Sequence, residues 1–262
     1  MATAYERVRI ARGAKRPTGM DYLQNVFHGF FELHGDRRYA DDPAIVGGLA
    51  YLGATPVTVI AIEKGHTAKE RVQRGFGAPQ PEGYRKALRL MREAEKFHRP
   101  VVCFVDTSGA GCNVGAEERG QGEAIAECLT TMSALQTPVL SILSGEGGSG
   151  GALALAAGDR VWMLENAVYS VISPEGCATI LWKDASKAEQ AAEELKLTAD
   201  DALALGVVES VIPEAGLGEP EIYDALSQRQ MREIDALTEM PIQELLSARY
   251  ARFRRFGGEA QR

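Results

Sequence analysis

The feature that most constrains the fold of this chain is a short apolar run that ends in a glycine-containing turn and is then repeated. Residues 101–105 are all apolar and lead directly into a turn at 106–111, and the largely apolar run at 138–143 leads into a glycine-rich turn at 145–151. Apolar runs without alternation are typical of parallel strands that are covered on both faces. Because a helical pattern follows each turn, the sequence predicts an α/β fold with crossover connections.

Weaker patterns extend this α/β core toward both ends of the chain. We expect a basic leader over residues 1–20, the core over residues 21–213, and a C-terminal helical region for subunit packing over residues 214–262. The polar segment 65–83, broken by Gly and Pro, is a candidate functional loop. The last helix is expected to turn an apolar side toward a neighbour and an arginine-rich side away from it. The expected elements are helices at 22–33, 84–98, 116–135, 152–157, 221–237 and 241–256, and strands at 44–50, 57–62, 101–105, 138–143, 160–164 and 169–172.

Charge and cysteine content limit the classes of partner. The chain of 262 residues has a formal net charge of −7, which gives no general electrostatic attraction to nucleic acid or to an anionic membrane surface. Its four cysteines form no C-x-x-C pair, so we expect neither a metal site nor a disulfide scaffold. Because the sequence contains no secretory signal and no apolar run of membrane-spanning length, we expect the protein in the cytoplasm.

The turn at 145–151 is the densest candidate site. Several glycines at a strand-to-helix junction let the backbone approach a ligand closely and leave N–H groups able to stabilise an oxyanion. For an isolated Gly-rich segment, a tight packing turn or a flexible linker is the default interpretation. Gly145, Gly147 and Gly150 also match a dinucleotide-binding fingerprint, but the helix expected after them is shorter than a typical crossover helix. Ser149 lies in a segment, Gly147 to Gly151, that satisfies G-x-S-x-G, but no obvious base for this serine exists among the four histidines, all in the first part of the chain, which disfavours a serine hydrolase.

A second turn of this kind follows the first apolar run, at residues 108–110, with Gly115 beyond it. Because the carboxyl ends of neighbouring parallel strands lie at one edge of a sheet, the two turns could form a common oxyanion-binding crevice. Asp106 and Thr107 fit equally well as ordinary turn residues. The basic stretch from Lys64 to Arg74 could meet a phosphate or a carboxylate, with a solvated loop as the default interpretation.

Longer motifs are more specific than any glycine turn. They are Gly35-Asp36-Arg37, Tyr39-Ala40-Asp41-Asp42, and the segments 44–48, 81–91, 114–121, 145–153 and 169–177. In this order they resemble the alpha subunits of bacterial acetyl-CoA carboxylase carboxyltransferase, over about residues 17–213. The resemblance implies a crotonase-like α/β fold, a spiral of repeated strand-strand-helix units with C-terminal helices.

The resemblance also implies a reaction and its partners. A member of this family accepts biotin as carboxybiotin on a separate carrier protein, and the carboxyl group passes to acetyl-CoA to form malonyl-CoA for fatty-acid biosynthesis. The expected partners are a carboxyltransferase beta subunit in an alpha2beta2 assembly, the biotin carboxyl carrier protein and, in the larger complex, biotin carboxylase. The beta subunit contributes the acetyl-CoA side and a zinc ribbon, so no metal is expected in this chain.

The site residues carried over from the family are main-chain groups. The resemblance assigns oxyanion stabilisation to the backbone N–H groups of Gly109, Ala110, Gly147 and Gly148, and the carboxybiotin side to Gly115, Ser149, Gly150 and Gly151. Three positions of the first turn, Ser108, Gly111 and Cys112, depart from the family's Asp-Thr-Pro-Gly-Ala-Tyr-Pro. The open alternatives are carboxyl transfer to another acyl-CoA, a single-chain crotonase-type hydratase or isomerase, and an inactive scaffold paralogue.

Overall fold

A mixed eight-stranded sheet forms the centre of the protein in the computed structural model, which describes residues 2–257. Met1 and residues 258–262, the outer ends of the expected leader and C-terminal region, lie outside the described residues. The sheet order is β1-β2-β3-β4-β5-β6-β8, with β7 paired to the end of β5. The strands are β1 (His28–Glu32), β2 (Ile45–Leu52), β3 (Thr55–Ile62), β4 (Val101–Thr107), β5 (Val139–Gly148), β6 (Arg160–Leu164), β7 (Val168–Ser170) and β8 (Ser210–Ile212).

Helices cover this sheet and connect its strands. They are α1 (Ala4–Ala11), α2 (Gly19–Val26), α3 (Ala68–Gln73), α4 (Pro81–Lys96), α5 (Val114–Glu118), α6 (Gln121–Ala134), α7 (Ser149–Leu153), α8 (Pro174–Trp182), α9 (Ala188–Glu194), α10 (Ala199–Ala204), α11 (Pro220–Thr238) and α12 (Ile242–Arg254). No helix within residues 2–257 is both long and apolar enough to span a membrane.

The central strands are those that the apolar runs predict. All seven residues of β4 are buried, and β4 pairs in parallel with β3 on one side and β5 on the other. Phe104 at its centre stacks on Tyr22 of α2, with ring centroids 4.8 Å apart. The expected hairpin is also confirmed, as β2 and β3 pair antiparallel from Ile45 with Ile62 to Leu52 with Thr55.

Four expected boundaries are wrong. The helix expected at 152–157 is α7, which begins at Ser149 and ends at Leu153. The helix expected at 22–33 is α2, which ends at Val26, and the following residues form β1 beside β2. The helix expected at 116–135 is divided, because Gly120 adopts a left-handed conformation with φ of 81° between α5 and α6. The glycines at 145–148 are strand rather than turn, since Thr107 of β4 pairs with Gly147 and β7 pairs on the other side.

The two ends of the chain pack on the core. Helix α1 begins at a Thr3–Glu6 capping box and buries Val8 against a small cluster that includes Leu197. The arginine side of α12 was expected to face away from its neighbour, and this is wrong, because Arg249 and Arg252 are both buried. Arg249 is 1% exposed and forms a bidentate ion pair with Asp159 at 2.7 and 2.8 Å.

Candidate active site

Two backbone corners meet at the carboxyl edge of the sheet. The first corner, residues 108–111, follows β4, and the second corner, residues 145–151, comprises the end of β5 and the start of α7. A Cβ added to Gly148 would lie 2.3 Å from Ser108 O, and one added to Gly151 would lie 2.5 Å from Ala110 N. Real Cβ atoms do not approach other atoms so closely, so these glycines are required by main-chain contact between the corners.

The amides of the first corner differ in their hydrogen bonding. Gly109 N–H donates to Thr107 Oγ1 at 3.0 Å, and Thr107 Oγ1 donates to Gly109 O at 2.8 Å. Gly111 N–H donates to Pro79 O at 2.8 Å. Ala110 N–H has no hydrogen-bond acceptor among residues 2–257. Of the two donors expected from this corner, Gly109 N–H is therefore engaged within the chain, whereas Ala110 N–H is not.

A cleft of about 250 Å³, called cleft 1, opens beside the corners. Of the predicted site residues, Gly147, Gly148 and Ser149 line it, whereas Gly109, Ala110, Gly115, Gly150 and Gly151 do not. Gly115 lies in α5, where a Cβ would meet Arg119 Nη1 at 2.9 Å. Ser149 is exposed and has a φ of 51°, a left-handed conformation that costs a non-glycine residue energy and is found most often at functional turns.

A second cleft of about 220 Å³, called cleft 2, lies on the other side of the first corner. The two clefts share Arg12, Ser108 and Glu146 in their linings. Cleft 2 also contains part of the polar segment 65–83 that the sequence marks as a functional loop, through Gly65, Arg71 and Phe76. The shared residues form a partition between two parts of one concave edge.

The partition carries a network of charges. Lys64 Nζ lies 2.6 Å from Asp106 Oδ1 and 3.3 Å from Glu146 Oε2, and Arg12 Nε lies 2.8 Å from Glu146 Oε1. Burial opposes the charge on Lys64, but attraction to Asp106 and Glu146 outweighs burial and raises the pKa of Lys64 above its ordinary value. Glu146 is thus paired with two cations, one from the N-terminal segment and one from the loop after β3.

Asp106 connects the two corners directly. Its Oδ1 accepts a hydrogen bond of 2.7 Å from Glu146 N–H, and a Cβ on Gly145 would lie 2.2 Å from the same carboxylate oxygen. A carboxylate at the end of β4 therefore occupies the space that glycine leaves in β5. Asp106 is not only an ordinary turn residue, because it fixes the spacing between the corners.

The N-terminal segment covers this edge of the sheet. Besides Glu146, Arg12 pairs with Glu175 at 2.8 Å. Arg16 donates to Ser144 O at 2.6 Å and pairs with Glu214. The expected leader therefore supplies two arginines to the site, and the only signal in the sequence was its basic composition.

Groups for acid–base catalysis are sparse around the clefts. Within the described residues, no histidine lines either cleft, and His66 lies 2.8 Å from Asp21 outside both. Glu117 is exposed on α5 and lines neither cleft. No group of three or more His, Cys, Asp or Glu side chains within residues 2–257 could hold a metal ion. The chemistry available here is main-chain hydrogen bonding beside paired charges.

Comparison with solved structures identifies the fold. A Pseudomonas malonate decarboxylase hetero-tetramer in complex with coenzyme A superimposes with a TM-score of 0.72 at 17% identity, covering 91% of this chain and 98% of that chain. Transcarboxylase 12S superimposes with a TM-score of 0.69 at 19% identity, covering 85% of this chain and 42% of that chain. These structures confirm the expected crotonase-like α/β fold.

Sequence comparison gives much closer relatives. The acetyl-coenzyme A carboxylase carboxyl transferase subunit alpha of Ruminiclostridium cellulolyticum is 58% identical over 97% of this chain and 98% of its own length. The corresponding subunit of Clostridium acetobutylicum is 53% identical over 97% of this chain and 94% of its own. A Natranaerobius thermophilus protein named for subunits beta/alpha is 52% identical over 97% of this chain and 43% of its own length. Since residues 1–257 also match the family described as acetyl co-enzyme A carboxylase carboxyltransferase-like, the chain belongs to that family.

Proposed function

We propose that this chain is the alpha subunit of an acetyl-CoA carboxylase carboxyltransferase. It takes part in transfer of the carboxyl group from carboxybiotin to acetyl-CoA, which forms malonyl-CoA for fatty-acid biosynthesis. The observation that carries the proposal is the direct contact of two glycine corners beside an open cleft, in a chain 58% identical to a named alpha subunit.

The corners fit a ligand that needs main-chain donors. Carboxybiotin supplies the carboxyl group, and its ureido oxygen is the atom where negative charge must be stabilised when that group leaves. The proposed donors are Ala110 N–H, which has no acceptor within residues 2–257, and the N–H groups of Gly147 and Gly148, which line cleft 1. The missing side chains of Gly148 and Gly151 let the corners approach each other, so the donors are held in place before the ligand arrives.

In this proposal, the charged side chains of Lys64, Asp106 and Glu146 position the backbone donors and transfer no proton. Asp106 accepts the hydrogen bond of Glu146 N–H, and Lys64 forms ion pairs with both carboxylates. A hydratase of the same fold would need a free acidic side chain at the thioester, whereas Glu146 is paired and Glu117 is exposed. The geometry therefore favours carboxyl transfer over the hydratase or isomerase alternative.

The proposed partners follow from the subunit role. A beta subunit completes the active site and binds acetyl-CoA, in line with the relative whose name joins subunits beta and alpha in one chain. We further infer an alpha2beta2 assembly, a separate biotin carrier protein and a biotin carboxylase. The acyl-CoA is proposed to be acetyl-CoA, the substrate in the names of the close relatives.

The decisive experiment is reconstitution. The chain is copurified with the beta subunit of the same organism, and carboxyl transfer from malonyl-CoA to a free biotin derivative is measured for the mixture and for each subunit alone. We expect transfer only in the mixture. Turnover of an enoyl-CoA by the isolated chain would favour the hydratase alternative, and a stable complex without transfer would indicate an inactive scaffold.

A further inference from the structure

A strongly basic groove lies outside the two clefts. It has a volume of about 420 Å³ and runs between the loop of residues 35–40 and helix α4. Six basic and two acidic side chains contribute to its lining, in a chain whose net charge is −7. Both walls come from motifs that the proposed reaction does not use. Its lining residues are Asp36, Arg37, Arg38, Arg85, Leu88, Arg89, Arg92, Glu93 and Lys96.

Three of the six basic side chains in the groove form no ion pair with a carboxylate in the described part of the chain. Arg85 pairs with Asp36 at 2.7 Å, Arg89 with Glu93 at 3.3 Å, and Arg38 with Glu127 at 2.9 Å. In the described part of the chain, Arg37, Arg92 and Lys96 have no carboxylate oxygen within 4.0 Å, and all three are exposed. The groove therefore retains a positive charge of three that no residue of its own neutralises.

The loop that presents Arg37 is rigid and strained. Asp36 is buried, and its Oδ1 accepts N–H bonds from Arg38, Tyr39 and Ala40 at 2.7–3.1 Å. Burial opposes its charge, but these bonds and Arg85 lower the pKa of Asp36, which keeps it ionised. Arg37 itself has a φ of 63°, which costs a non-glycine residue energy and persists where neighbouring contacts enforce it. These hydrogen bonds define the backbone conformation from which Arg37 and Arg38 extend.

The groove begins near the proposed active site. In the first turns of α4, Tyr84 OH donates to Gly151 O of the second corner at 3.1 Å. The next residue, Arg85, already lines the groove. From Arg89 to Lys96 the helix then rises about 10 Å. A protein whose prosthetic arm reaches the corners could therefore lie along α4.

We propose that this groove docks an acidic surface of the carrier protein that presents carboxybiotin. The inference rests on the proposed function. Among the described residues, Leu88 is the only apolar residue that lines the groove. Permanent subunit interfaces, in contrast, are largely hydrophobic. An exposed charged surface suits a partner that must bind and leave in every turnover, because charge complementarity raises the association rate. The chain's overall charge of −7 disfavours nucleic acid as the occupant.

The test separates carrier docking from chemistry at the corners. The double variant Arg92→Glu with Lys96→Glu is assembled with the beta subunit, and carboxyl transfer from malonyl-CoA is measured with the biotinylated carrier domain and with a free biotin derivative. We expect KM for the carrier domain to rise about tenfold at low salt, with kcat/KM for free biotin unchanged. The difference should shrink at 0.5 M NaCl because salt screens exposed charges.

The control is Lys187→Glu with Arg232→Glu, which changes the net charge equally at exposed positions outside the groove. Absence of transfer from wild-type complex to either acceptor would overturn the proposed function. Normal transfer to free biotin with an unchanged carrier KM would overturn the docking alone, as would an equal loss with both acceptors. A single-stranded oligonucleotide that binds wild type but not the double variant, without competition by the carrier, would assign the groove to nucleic acid instead.

Discussion

Gly148 is the residue at which the contact between the corners can be tested. Replacement by valine would place a Cβ 2.3 Å from Ser108 O, so the corners must separate. A displacement of about 1 Å at reacting groups reduces rates by about 100-fold. We expect Gly148→Val to lower kcat for carboxyl transfer by about that factor while the beta subunit still copurifies.

The matched control for this substitution is Gly122→Ala. Gly122 lies in α6, and a Cβ there would meet nothing within 4 Å. The control should retain wild-type transfer and unfold at or slightly above the wild-type temperature, because alanine favours a helix more than glycine does. Undiminished transfer by Gly148→Val would contradict the assignment of the corners to catalysis.

Individual residues of the site were only partly predictable. The two glycine corners follow from local sequence, because each comes directly after an apolar strand and neighbouring strands end at one edge. The ion pairs of the partition were not predictable from the sequence. Arg12 and Glu146 are 134 residues apart in the chain, and Lys64 and Glu146 are 82 residues apart. Ion pairs over such separations depend on the complete fold. The engagement of Gly109 N–H by Thr107 was also beyond any sequence pattern.

Among the elements, long apolar strands were predicted well and short or glycine-rich strands were not. Strand β4 buries every residue and so shows a continuous apolar run. The end of β5 consists of glycines that are strand only because β4 and β7 pair on both sides. Helix α12 was predicted in its extent, but its buried face combines Leu245 of the expected apolar side with Arg249 and Arg252, because a paired arginine can be buried as fully as leucine.

A substitution of Arg249, on the buried side of α12, is expected to lower the stability of the protein strongly. Arg249 binds Asp159 and donates to the carbonyls of Met132, Leu135 and Thr137 at 2.8–3.1 Å. Replacement by leucine leaves the Asp159 carboxylate buried without its cation, which costs about 3–5 kcal/mol. We expect Arg249→Leu to reduce the free energy of unfolding in urea by that amount. Arg254→Leu, an exposed change on the same helix, should alter it by less than about 0.5 kcal/mol.

At the scale of the whole molecule, ion pairs join parts of the chain that are distant in sequence. Arg16 reaches Glu214 across 198 residues and so connects the N-terminal segment to the chain that follows β8. Both side chains are at most 6% exposed. The sequence predicted the central sheet but assigned these two segments to a basic leader and to the start of a C-terminal helical region, because neither carries an apolar pattern of its own.

The Arg16–Glu214 pair should make stability depend on pH. Burial alone would raise the pKa of Glu214, but hydrogen bonds from Arg16 and Asn166 outweigh burial and lower it below its ordinary value of about 4.3. A carboxyl whose pKa is lowered by folding stabilises the protein above its unfolded-state pKa, and this stabilisation is lost as the pH falls through the folded-state pKa. Acid should therefore weaken the attachment of the N-terminal segment below about pH 4.

Unfolding of Glu214→Gln as a function of pH provides the test. The variant cannot ionise, so it should be less stable than wild type by about 3 kcal/mol at pH 7, and the difference should close as wild-type Glu214 becomes protonated in acid. Asp224→Asn removes an exposed carboxylate that has no cation within 4.0 Å inside residues 2–257, and its stability should follow the wild-type curve at every pH. A constant difference between Glu214→Gln and wild type from pH 7 to the acid limit would mean that the charge of Glu214 contributes nothing, and that its effect comes from packing alone.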